Sequence, residues 1–237
     1  NRLRVLKLRG NDLKYAQQRT SLILKERLTM NLNDALAIIA GFSTKSTGAF
    51  TAANQVSIDG HCVSASLQNV QSNANGKTLP SELVQYIDAI CPEEGMTLEG
   101  VGHPIELLPP EALSWQPDMY SQLTGELANW QDDWFLIAHE GGDPVIVKTS
   151  EQGELSPVYS AMQGMGYWDF ALVADSIGQY LVCACAIQHA LNFPGVSEPL
   201  DDDFNLAPAA ANWLFPLLRQ HAGSHYDEWA SVFENYI

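Results

Sequence analysis

The sequence predicts an α+β fold, in which an antiparallel sheet is followed by helices. Three observations carry this expectation. Between Asp132 and Ala161 stand three short apolar runs, Trp134 to His139, Val145 to Val147 and Pro157 to Ala161. Their connections are tight, which reads as an antiparallel meander. A long apolar helical pattern follows Trp168, and two further helical patterns with aromatic stripes close the chain as extra C-terminal helices.

The elements follow in order. Residues 1–27 hold eight Lys or Arg (Arg2, Arg4, Lys7, Arg9, Lys14, Arg19, Lys25, Arg27) against Asp12 and Glu26. Residues 1–29 therefore form a basic N-terminal segment with three readings. It is an arm for an acidic partner, or a helix over Leu13 to Leu28 lying on an acidic body. The third reading starts the native protein at Met30, because Lys25-Glu26 can be encoded as AAG-GAG, a ribosome-binding sequence at about the right distance. Asn33 or Asp34 is placed to cap a helix from Asp34 to Ala40 that Gly41 ends. Residues 43–78 are polar, and Asp59-Gly60 has the composition of a hairpin turn between Val56-Ser57-Ile58 and Cys62-Val63. Ser81 is placed to cap a helix with the stripe Leu83, Val84, Ile87, Ile90 and Cys91, stopped by Pro92.

Met96 to Val101 and Pro104 to Leu108 read as strands, and Pro109-Pro110 opens a short helix to Leu113. Gly141 and Gly142 supply the backbone freedom of a sharp turn. Asp143 is placed to hydrogen-bond amides of that turn, and Pro144 begins the next run. Asp169 is expected to cap a long helix from Phe170 to about Leu191, with Phe170, Val173, Ala174, Ile177, Leu181 and Ala184 on one face. An acidic linker, residues 195–205, contains Asp201-Asp202-Asp203. Pro208 then suits a helix start, and Pro216 is expected to kink or divide that helix. The last helix places Tyr226, Trp229, Val232, Phe233 and Tyr236 on one stripe.

Composition bounds the function. A chain of 237 residues is long enough for a substantial core. No apolar run approaches a membrane span, and the sequence does not open on a charged start followed by an apolar stretch. Four cysteines (Cys62, Cys91, Cys183, Cys185) do not make a disulfide framework, so a reducing cytoplasm is the expected home. The net charge is −16, yet beyond residue 27 the chain holds only four basic residues against 26 acidic ones. Such a surface repels nucleic acid and anionic membrane and attracts basic partners, although solubility alone favours some of this charge.

Candidate chemistry is sparse. Cys183 and Cys185 stand two apart and point about 200° apart on a helix, so only Cys185 and His189 can share a face; small core residues fit them better than metal ligands. His139 beside Glu140 and Asp143 has acid/base company, which leaves an enzyme reading open, but ordinary strand-end placement explains it too. Gly164-Met165-Gly166 lacks the third glycine of a dinucleotide loop, since Asp169 stands there. No basic residues are interleaved with Trp115, Trp130, Trp134 and Trp168, so these pack rather than stack on bases. The acids Asp132, Asp133, Glu140, Asp201, Asp202 and Asp203, with Asp227 and Glu228, are either solvated charge or a binding face for a basic protein.

The order of several of these features resembles the SUKH superfamily, a group named for yeast cell-wall regulators, herpesviral proteins and many bacterial homologues. The residues that carry the resemblance are Leu79-Pro80 opening a helix, the strand near Pro104 to Leu108 and Trp134 to Ala138. Gly142-Asp143-Pro144, Val158-Tyr159, Gly164-x-Gly166-x-Trp168 and the helix after them complete it. Together they cover roughly residues 78–190. The resemblance implies an α+β domain over residues 30–194, with a mostly antiparallel sheet flanked by helices, no catalysis and no cofactor or metal. Residues 195–237, the acidic linker and helical C-terminal extension, have no counterpart in it. Its motif residues (Leu79, Pro80, Trp134, Gly142, Asp143, Pro144, Tyr159, Gly164, Gly166, Trp168) are implied to build the fold. Bacterial members are typically immunity proteins that neutralise a cognate polymorphic toxin, many of them nucleases, by direct binding. The expected partner is therefore a cognate toxin domain, basic in charge, with no nucleic acid and no membrane. A non-catalytic scaffold or regulatory module of the same fold is the alternative.

Overall fold

The computed structural model describes residues 30–42, 64–74, 76–120, 123–161 and 166–236. The basic segment, the hairpin expected around Asp59-Gly60, Cys62 and Gly164 lie outside the described residues. The chain builds a six-stranded sheet from β1 (Met96–Leu98), β2 (Ile105–Leu107), β3 (Trp134–Glu140), β4 (Asp143–Lys148), β5 (Val158–Ala161) and β6 (Phe170–Ala174). Every strand pairs antiparallel with the next, in the order β1-β2-β3-β4-β5-β6. The three expected strands are thus the centre of a longer meander, and the α+β class is the one observed.

The helices, in chain order, are α1 (Leu32–Ile39), α2 (Ala65–Ser72), α3 (Ser81–Ala89), α4 (Ile177–Leu191), α5 (Pro208–His221) and α6 (Tyr226–Ala230). α4 is buried from Ile177 to Ala190, with α1 and α5 packed against it. A helix that is apolar all round belongs in the middle of a molecule. Gly178 allows the α1 approach: a Cβ there would lie 2.9 Å from the Asn31 carbonyl oxygen and 3.2 Å from Ala35 Cβ. The main core joins one sheet face (Leu98, Ile105, Leu107, Phe135, Ile137, Val145, Val147, Val158) to α1, α3, α4 and the C-terminal residues Leu214, Leu218, Trp229 and Phe233.

The opposite face carries a second apolar cluster around Tyr120, Leu136 and Ile146. Both faces are therefore covered, which is why β3 and β4 read as unbroken apolar runs instead of alternating ones. A register shift between Leu136 and Ala138 lets both Ile137 and Ala138 join the main core.

The β3–β4 connection is a two-residue loop, Gly141-Gly142, with φ of +59° and +93°. Positive φ at both positions is what the hairpin turn compatible with strand twist requires. A Cβ on Gly141 would also fall 2.8 Å from the His103 ring, whereas one on Gly142 meets open space. Gly141→Ala is expected to cost about 2–3 kcal/mol from strained backbone plus a clash, and Gly142→Ala about 1 kcal/mol from backbone alone. Urea midpoints of the two variants check this ranking.

Several expectations are corrected. The helix expected over Phe170 to Leu191 is instead β6, a break at Asp175-Ser176, and α4. Ser176, not Asp169, is the cap: its Oγ accepts from Gln179 N at 2.9 Å and donates to the Met30 carbonyl at 2.6 Å. A free edge on β5 and the strand-forming run Phe170 to Val173 decide the matter. Asn31, one turn early, caps α1 through its bond with Asp34 N. Ser81 does not cap α3; Pro80 takes that place, and Ser81 Oγ reaches the Gly153 and Glu154 carbonyls. The short helix after Pro109 is a 3-10 turn, Pro110–Ala112. Pro216 does not divide α5. Pro216 and Asn212 are both exposed, so the carbonyl that loses its donor meets water. The expected final stripe is helical only to Ala230; Trp229 and Phe233 dock, while Val232 is exposed. α2 adds a helix within the polar stretch, capped by Ser64 Oγ at Leu67 N.

Candidate interaction surfaces

The three aromatic motif residues converge on one place. Trp134, Tyr159 and Trp168 lie in the cluster on the outer sheet face, whose hub is Tyr120. The Tyr120 ring stacks on Trp130 at 5.0 Å and meets Trp168 edge-on at 5.3 Å. Its hydroxyl donates to the Gly142 carbonyl at 3.4 Å, which ties the hairpin turn to the cluster. Trp168 Nε1 donates to the Leu127 carbonyl at 2.9 Å. Gly166, at φ +80°, turns the chain into Trp168, and Asp143 and Pro144 open β4. Leu79 and Pro80 are buried ahead of α3. Trp134 and Trp168 are half-buried members of this smaller cluster and take no part in the main core.

The acidic candidates are not brought together. Asp132 and Asp133 lie before β3, and Glu140 ends it, so the length of that strand separates them. Asp133 Oδ2 accepts from Ser150 Oγ at 2.5 Å, and its carbonyl accepts from Thr149 N at 2.8 Å. The Asp132 carbonyl accepts from Lys77 Nζ at 2.7 Å. Glu140 is exposed at the hairpin end, while His139, next to it, is buried at 7% exposure with Nε2 unpartnered. Alternation sends the two to opposite faces, and burial pushes the His139 imidazole pKa down. His139, Glu140 and Asp143 therefore do not share one cleft.

Asp201 to Asp203 occupy the α4–α5 connection. Asp201 Oδ1 accepts from Asp203 N at 3.0 Å and from Asn205 N at 2.7 Å, and these amides, Asn205's foremost, hold its pKa below the usual carboxylate range. Asp202 and Asp203 line an open cleft of about 500 Å³ with Phe204, Asn205 and Glu234. Among the described residues the basic side chains, Lys77, Lys148 and Arg219, lie over the rings of Trp115, Tyr159 and Tyr226 at 5.5, 3.9 and 4.8 Å. His225 Nε2 lies within hydrogen-bond distance of Asp175 Oδ1, at 3.1 Å. Among the described residues carboxylates so far outnumber these cations that most of the acidic charge has no Lys or Arg of the same set to oppose it.

Cys185 and His189 are buried, and no group of three metal-ligating side chains exists among the described residues. His189 packs 4.4 Å from Trp213 and 5.8 Å from Phe42, with burial pushing its pKa down. No helix among the described residues is long and apolar enough to cross a membrane.

Two notable residues escaped the sequence reading. Glu82 is 3% exposed and accepts from three backbone amides, Ser156 N at 2.6 Å, Ile177 N at 3.3 Å and Gly178 N at 3.2 Å. Its only sequence signal is a carboxylate beside an apolar stripe. Phe204 is 47% exposed with φ +60°, and nothing local announces either property.

The architecture so defined is that of an α+β protein whose antiparallel meander is covered by helices on one face and by an aromatic layer on the other. No family model, no curated protein and no solved structure matches this chain.

Proposed function

We propose that the chain is an immunity-type binding protein, which neutralises a cognate basic toxin domain in the cytoplasm by direct association. The observation that carries this reading is the acidic surface of the described residues: beyond residue 27 the chain holds 26 carboxylates against four cations, and the described cations are engaged on aromatic rings. Such a surface accelerates encounter with a basic protein and rejects anionic partners. The motif residues add support through their resemblance to the SUKH superfamily, and the place of Trp134, Tyr159 and Trp168 in the Tyr120 cluster fits a fold-building role for these three.

The test is a tagged pull-down from the native lysate at low and high salt, followed by reconstitution of any partner at equal stoichiometry. A single basic toxin domain is expected, bound 1:1 and roughly tenfold or more weaker when salt is raised from about 50 to about 500 mM, as screening demands. Several signalling proteins, or an acidic partner held equally well at both salts, would overturn neutralisation and favour the regulatory module.

A further inference from the structure

Phe204 is an apolar side chain that the fold holds in water. Its φ of +60° lies in the left-handed region, where a bulky residue is an outlier and asparagine or glycine is at ease. The loop is nevertheless tied on every side. Phe204 N donates to the Asp201 carbonyl at 3.1 Å, and the Phe204 carbonyl accepts from Glu234 N at 3.1 Å. Asn235 pairs with the Leu206 backbone through both side-chain atoms, at 3.0 and 2.8 Å. The ring is thus presented by a braced loop and does not fold back on the core. Val232, 40% exposed, lies on the same C-terminal segment that braces it.

The surroundings state what fits the ring. The cleft is lined by Asp202, Asp203, Asn205 and Glu234, and no described lysine or arginine lines it. A neutral apolar group would meet carboxylates there, and an anion would be repelled. A guanidinium satisfies both surfaces, because its flat face stacks on the phenyl ring while its N–H fork reaches the carboxylates. A strongly hydrated ammonium gains less from the ring.

We infer that this cleft seats an arginine side chain of the basic partner, with Phe204 as platform and Asp202, Asp203 and Glu234 as acceptors. The inference rests on the binding reading above and adds a contact point for it. The α4–α5 connection and the C-terminal segment then have a recognition role outside the motif-bearing domain.

The experiment measures anisotropy of labelled hexa-arginine and hexalysine peptides at low salt, with thermal melts of the same proteins. Phe204→Asn leaves the charge unchanged and is expected to weaken hexa-arginine about fivefold, hexalysine less than twofold, and to keep or raise the melting temperature. Asp202→Asn/Asp203→Asn is expected to weaken hexa-arginine more than the charge-matched Glu93→Gln/Glu94→Gln. Wild-type affinity for hexa-arginine in Phe204→Asn, or equal loss of both peptides with a lower melting temperature, would overturn the seat. Capture of the basic partner unchanged by Phe204→Asn would remove the seat and leave the binding reading intact. Arginine-selective peptide binding without any basic partner would do the reverse.

Discussion

Glu82→Ala is expected to lower stability by about 3–5 kcal/mol at pH 5, because it orphans three buried amides at once, each worth about 1–3 kcal/mol. Those amides belong to separate parts of the chain. Ser156 precedes β5, while Ile177 and Gly178 form the first turn of α4, whose N–H groups have no intrahelical partners. The carboxyl thus fastens α3 to the sheet and caps the central helix from outside it. Burial pushes its pKa from 4.5 up to about 7, against the pull of the three amide bonds. A carboxyl raised in the folded state contributes stability that is whole below pH 4.5 and is lost as pH climbs through about 7. The decline is roughly 3 kcal/mol across that window. The penalty of the alanine variant should shrink by a similar amount at pH 8, where ionisation has already weakened the wild type. Urea titrations at pH 5 and pH 8 measure both numbers. A penalty below about 1 kcal/mol at pH 5 would show that the amides find water or new partners.

Tyr120→Ala should cost about 3 kcal/mol and also leave a spectroscopic mark. Tyr120 is 5% exposed and touches Trp130, Trp168 and the His139 ring, besides holding the Gly142 carbonyl. The layer it organises consists of short 3-10 turns, among them Asp118–Tyr120 and Gly125–Ala128, which have little intrinsic stability. Loss of the hub should loosen this layer while the helix-covered face stays packed, since the two clusters share the sheet but few side chains. Trp130, Trp134 and Trp168 should then emit at longer wavelength before the global transition in denaturant. Coincident fluorescence and far-ultraviolet transitions, with unshifted emission in the native baseline, would refute a separable outer layer.

The central meander was legible because its signals are local. Runs of strand length, a Gly-Gly turn and a proline-started strand survive without knowledge of what surrounds them. The limits of the sequence show at Phe170 to Ala174. Those five residues suit a helical face as well as a strand, and the free edge of β5 decides between them. Pro216 likewise reads as a breaker until the exposure of the turn before it is known.

For the candidate surfaces the division follows the same line. Charge is additive along a chain, so the acidic balance was available from composition alone. The grouping of charges was not. Tertiary structure separated Asp132 and Asp133 from Glu140 by a strand length, and it set Asp202 and Asp203 beside Glu234 around an exposed ring. Glu82 shows the general reason. Its donors lie 74, 95 and 96 residues away, and only the folded chain brings such partners within bonding distance. The elements of the central meander, their turn chemistry and the net charge were determined by neighbours in sequence, whereas the split between β6 and α4, the second aromatic layer and the Phe204 cleft were decided by neighbours in space.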